Sequence, residues 1–154
     1  MSNNFTITVH DVDTTLRSVI EKLIDGQEGF QKIGETLKDD TLKRYFLAES
    51  LKRAGFRGEL EEVLHREGIR DIKEKGTSSG AVHRAWAKLK SNLGAGDHSM
   101  LVTAEEGEDE LKAAYQTALD KELPFPVRQL LTSQFAHVQT VHDYVKAARD
   151  RSAS

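Results

Sequence analysis

The chain has 154 residues, which suits one domain that buries roughly 70% of its unfolded surface. It is 38% apolar and 31% charged, carries no cysteine, and has a formal net charge of −3. This profile excludes a disulfide scaffold and thiol chemistry, argues against disorder, and disfavours nucleic acid as the main partner.

No apolar run approaches the ~20 residues of a membrane span. The opening Met1-Ser2-Asn3-Asn4-Phe5 lacks the basic and apolar regions of a signal peptide. A cytoplasmic protein without membrane or nucleic-acid partners is therefore expected. The two prolines, Pro124 and Pro126, sit together, so long uninterrupted helices are expected on either side of them.

Phe5, Ile7 and Val9 alternate with Thr6, Thr8 and His10, which reads as a short extended arm over residues 1–13. A first long helix is expected from Thr14 to Leu37, with the apolar stripe Leu16, Val19, Ile20, Leu23, Ile24, Phe30, Ile33 and Leu37. Gln27 falls inside that stripe. Gly26, Gly29 and Gly34 each cost about 1 kcal/mol against alanine in a helix, so something should approach them closely. Lys38-Asp39-Asp40 reads as a turn ending in a cap. The second helix, Thr41 to Glu67, turns Leu42, Phe46, Phe56, Leu60 and Leu64 inward, with Glu49 and Arg53 on the same face.

Gly68 marks the end of the second helix, because glycine accepts the left-handed conformation. From there to His98 runs a stretch too long for a turn. Ser78-Ser79-Gly80 offers a cap. Val82, Ala85, Trp86, Leu89 and Leu93 then recur at helical spacing before Gly94-Ala95-Gly96, and Asp97 can cap the next helix. Helices joined by roughly two to eight residues lie antiparallel. A segment carrying its own helix can instead climb the bundle, since Ser79–Leu93 alone covers roughly 20 Å. The third long helix would then start at the same end as the second, although an up-down bundle with a decorated loop has the same helix count.

The third helix, His98 to Glu122, turns Met100, Ala104, Leu111, Tyr115, Ala118 and Leu119 inward, with Gly107 and Glu108 in the stripe. Leu123-Pro124-Phe125-Pro126 makes a stiff turn. The fourth helix carries Val127, Leu131, Val138, Val141 and Val145, shares that face with Gln134 and His142, and puts His137 on its flank. A polar tail, 150–154, closes the chain. The domain proper is thus expected over residues 14–149.

Helical spacing therefore turns Gln27, Glu49, Arg53, Glu108, Gln134 and His142 inward from all four helices. Carboxylates and a histidine inside a four-helix bundle suggest a di-iron or di-manganese centre, which needs two glutamates and two Glu-x-x-His pairs. Glu62-Val63-Leu64-His65 has that spacing but points away from the stripe at a helix end. Gln134-Phe135-Ala136-His137 and Gln139-Thr140-Val141-His142 begin with glutamine, a neutral and weak ligand. Glu49, Glu108 and His142 remain as the candidate metal ligands, for iron or manganese. The competing reading is a metal-free polar network in which Arg53 neutralises one carboxylate, and His142 with the glutamines hydrogen-bonds the other. The Glu105–Glu110 run reads mostly as a solvated face, and Trp86 as a hydrophobic anchor for the bridge.

Several short motifs recur together: Asp25-Gly26, Arg53-Ala54 with Phe56 and Glu59-Leu60, His83-Arg84-Ala85-Trp86, Gly107-Glu108-Asp109, and Val138-Gln139 with His142-Asp143. With them the chain resembles, over Asp13 to Ala148, a bacterial ferritin-like four-helix-bundle family described as a domain of unknown function. The resemblance implies an all-α, ferritin-like four-helix bundle whose long crossover, holding a short helix, joins the second and third helices. It implies no established activity; no cofactor is expected, with iron or manganese as the alternative. The expected function is a non-enzymatic structural or interaction bundle, self-associating as a dimer and stress-related. The alternative is a bundle with a reduced metal site at Glu49, Glu108 and His142.

Overall fold

The computed structural model describes residues 2–68, 86, 89 and 95–152, with side chains from residue 14 onward. Those residues form four helices and no strand: α1 (Ser2–Thr36), α2 (Asp40–Arg66), α3 (Asp97–Leu119) and α4 (Phe125–Arg151). The short helix expected within the bridge lies outside the described residues, apart from Trp86 and Leu89.

α1 is longer than its apolar stripe predicts. The stretch read as an extended arm, 1–13, is helical from Ser2, continuous with the rest of α1. A few residues of alternating threonine and branched side chains do not distinguish strand from helix. Once a helix exists, adding residues to it incurs no second nucleation cost, and β-branched residues lose only tenths of a kcal/mol each. Likewise α4 continues through Arg151, so Asp150 and Arg151, expected to open a polar tail, belong to the helix, and residues 153–154 of that tail lie outside the described residues.

The apolar stripes go where their periodicity sends them. Leu16, Val19, Ile20, Leu23, Phe30, Ile33 and Leu37 of α1 are buried, as are Val127, Leu131, Val138, Val141 and Val145 of α4. Two core clusters result. One joins Leu16–Leu23 of α1 to Leu60 and Leu64 of α2, Leu111 and Tyr115 of α3, and Val127 and Leu131 of α4. The other joins Phe30–Leu37, Phe46, Met100–Ala104 and Val141–Ala148, with Leu89 of the bridge.

These memberships fix direction. The start of α2 and the start of α3 share one cluster, and their ends share the other, so α2 and α3 run the same way. α1 and α4 run opposite to both. Asp97 ties the two starts together: its carboxylate accepts the backbone N–H groups of Lys38 (2.9 Å) and Asp39 (3.0 Å) in the α1–α2 turn. Asp97 was expected to cap α3. Instead Gly96, at φ 116°, holds the cap position without a side-chain bond, and Asp97 spends its carboxylate on the neighbouring turn. Asp39 does cap α2, accepting the Leu42 N–H. Gly68, at φ 80°, ends it as expected.

Two glycines explain how the bridge attaches. A Cβ placed on Gly29 of α1 or Gly107 of α3 would overlap the Trp86 indole. The ring lies flush against both helix backbones and 6.0 Å from the Phe30 ring. Gly34 plays the same part for Leu47 of α2. The helix-propensity loss at these positions is therefore offset by ring and side-chain packing that only a missing Cβ permits.

Candidate functional site

Between the two apolar clusters lies a buried ion cluster. On α2, Glu49 and Arg53 are one turn apart, acid first, the favourable order for a helical pair. Arg53 Nε donates to Glu49 Oε2 at 2.7 Å. Its Nη1 and Nη2 donate to Glu108 Oε1 and Oε2 of α3 at 2.6 and 2.7 Å, a bidentate fork. Arg53 is fully buried, Glu108 is 1% exposed and Glu49 5%. Beneath the guanidinium lies the Phe30 ring, 4.9 Å from the guanidinium carbon. On the other side of Glu49, His137 of α4 brings Nε2 within 3.0 Å of both carboxylate oxygens.

The electrostatics follow from this arrangement. Burial alone would pull the Arg53 guanidinium down, but Glu108 and then Glu49 outweigh it and hold it above its ordinary value. Burial, followed by the Glu49 charge, pushes the Tyr45 hydroxyl up to about 12. Tyr45 also stacks on Tyr144 of α4, with ring centres 3.8 Å apart.

One turn nearer the α4 start, Gln134 is satisfied differently. Tyr115 of α3 donates its hydroxyl to Gln134 Oε1 at 2.9 Å, and Gln134 Nε2 donates to the Phe56 carbonyl at 3.0 Å. Burial drives the Tyr115 hydroxyl well above the usual phenol range. Gln27 is only half-buried, and it enters through its backbone carbonyl, which accepts from Ser50 Oγ at 2.8 Å.

His142 is placed apart from Glu49 and Glu108. It is 8% exposed, and its Nε2 faces Asp109 Oδ1 at 2.9 Å and Glu105 Oε2 at 3.7 Å, both on α3. Its Nδ1 lies 3.1 Å from Asp143 Oδ1. Arg149 pairs with the other oxygen of Glu105. Of the three residues expected to share a metal, the structure brings Glu49 and Glu108 together, with Arg53 between them. It gives His142 a different set of carboxylates. Glu62 and His65 are exposed, in keeping with the solvent-facing reading of that pair.

Sequence reasoning missed His137, Tyr115, Glu105 and Asp109 as polar partners. Glu105 and Asp109 stand four apart on α3, and that spacing could have flagged a shared patch within the acidic run. His137 sits three residues beyond inward-facing Gln134, and a flank position one turn from a buried carboxylate is within hydrogen-bond reach.

No curated protein matches the chain. A family model described as a domain of unknown function, DUF2383, matches residues 11–121. The matched stretch holds Glu49, Arg53, Trp86, Gly107 and Glu108 and ends before α4, which supplies Gln134, His137 and His142. Because that match covers well over half of the sequence, the chain belongs to the DUF2383 family.

Proposed function

We propose that this chain is a ferritin-like bundle acting as a structural or interaction protein, assembled as a dimer, and that its central carboxylates serve the fold and not an oxidase reaction. One observation carries the reading. The Arg53 guanidinium stands between Glu49 and Glu108 and hydrogen-bonds both. With His137 on Glu49, all four carboxylate oxygens have a partner. A dinuclear centre needs those oxygens for bridging, and displacing a fully buried guanidinium would leave its charge without compensation. The parallel course of α2 and α3 supports the ferritin-like part of the reading, since a single long crossover is that connectivity.

Iron oxidation tests it. With Fe(II) in air, the protein is expected to leave the oxidation rate at that of buffer. A faster rate that falls in Glu49→Gln would overturn the proposal. Sedimentation velocity tests the assembly, and a single monomeric species at micromolar concentration would remove the dimer from it.

A further inference from the structure

The geometry points to a mononuclear site for a divalent transition-metal ion at the α3–α4 edge, with Glu105, Asp109 and His142 as its protein ligands. It is separate from the central cluster, whose carboxylates are already held by Arg53. Glu105 and Asp109 project side by side from successive turns of α3. Opposite them α4 presents His142, with Nε2 toward both. One ligand atom from each residue lies within 4.8 Å of the others. Ligands around a single ion, each about 2.1 Å from it, stand roughly 3–4 Å apart, so small rotations of the two acidic side chains close the set.

The imidazole supplies the second argument. Both of its nitrogens face carboxylates, Nε2 toward Asp109 and Nδ1 toward Asp143. A neutral imidazole has one N–H and can donate to only one of them. A second proton on the ring would let it donate to both; a metal ion on Nε2 satisfies both without that proton, since Nδ1–H donates to Asp143 while the Nε2 lone pair and the Asp109 oxygen become ligands of one cation. A carboxylate on the far nitrogen is also the usual way a ligating histidine is oriented. Charge points the same way. Glu105, Asp109 and Asp143 carry three negative charges, against which Arg149 supplies one positive charge, paired with Glu105 through the oxygen turned away from His142. Burial differs across the site. The Glu105 and His142 side chains are 13% and 10% exposed, whereas Asp109 is 58% exposed, leaving a solvent-facing side where water completes the coordination. One nitrogen with two carboxylate oxygens suits zinc, manganese or iron(II) better than magnesium, which prefers oxygen ligands and retains its waters.

Isothermal titration of the metal-stripped protein with Zn²⁺ and with Mg²⁺ tests this. One Zn²⁺ per chain is expected, bound at least tenfold more tightly than Mg²⁺. His142→Gln and Asp109→Asn should each weaken it tenfold or more. Asp143→Asn should weaken it less, through the orientation of His142. Glu49→Gln should leave it unchanged. Asp109 is exposed, so that variant is expected to fold, which a far-ultraviolet dichroism melt checks. Absence of a one-site Zn²⁺ isotherm up to millimolar ion would overturn the site. So would Zn²⁺ binding that survives both His142→Gln and Asp109→Asn.

Discussion

Two carboxylate clusters share helix α3, and they are balanced in different ways. Glu108 turns to the bundle centre, where Arg53 of α2 is covalently part of the fold and supplies the opposing charge. Glu105 and Asp109 turn to the α4 edge, where they meet His142, whose charge depends on its protons. The central cluster is closed: each oxygen of its two carboxylates meets the guanidinium or the imidazole. The edge cluster holds three carboxylates around one imidazole and one arginine. Burial explains the division. A charge sealed from water must bring its partner with it, whereas a half-exposed one can take a cation from solution.

The comparison predicts very different sensitivities. Arg53→Met leaves Glu49 and Glu108 buried without their cation and is expected to cost about 3–5 kcal/mol in urea-induced unfolding. Asp109→Asn at the edge should change stability by less than about 0.5 kcal/mol in the absence of metal. Comparable losses in the two variants would erase the distinction. Gly107→Ala, on α3 between the two clusters, comes next. Alanine gains about 1 kcal/mol of helix propensity, but its Cβ would overlap the Trp86 ring, and overpacking typically costs about 1–3 kcal/mol. A net loss near 1 kcal/mol is expected. Trp86 is the chain's single tryptophan, so its emission should shift to the red as the ring is displaced. An unchanged spectrum with raised stability would contradict the docked indole.

Helical period made most of this bundle readable in advance. The stripes of α1 and α4 are buried almost residue for residue, because 3.6-residue spacing is a property of the chain alone. Glu49 with Arg53 was readable for the same reason. Glu108 was readable because it interrupts an apolar stripe beside Gly107. What spacing could not supply is the choice of partner across helices. His142 was placed on the inward face, and it is buried, but its ring reaches Asp109 at the edge and not Glu49 at the centre. A rotation of a few tens of degrees about the helix axis, or one change of rotamer, separates those outcomes. Asp97 shows the same ambiguity at a terminus: a carboxylate beside a helix start can cap its own helix or bond the neighbouring turn, and only the bundle decides. The glycines signalled a close approach without naming the visitor, since Trp86 comes from far along the chain.

A milder lesion sharpens the account of the central cluster. Tyr115→Phe removes the hydroxyl that donates to Gln134 and leaves that buried acceptor oxygen short of a partner, at about 1 kcal/mol. Because Arg53, Glu49 and Glu108 are untouched, the loss should be independent of ionic strength.

A further effect of the central cluster concerns alkaline pH. Tyr45 is neutral in the folded protein up to about 12, held there by burial and by the negative charge of Glu49, whereas in the unfolded chain it ionises near 10. Between those values the unfolded state releases the proton and the folded state keeps it, so stability falls as pH rises. The contribution is complete below about pH 10, declines through the interval, and stops changing above about 12. Tyr45 is half-buried, and solvent screening reduces its share to less than about 1 kcal/mol. Tyr45→Phe should therefore flatten part of the alkaline limb of a stability–pH curve while leaving its neutral region nearly level. Because the Glu49 charge helps hold the folded-state hydroxyl up, Glu49→Gln should leave the start of that limb near pH 10, bring its end to lower pH and make the total fall smaller. If neither variant alters the limb, Tyr45 does not sense the cluster.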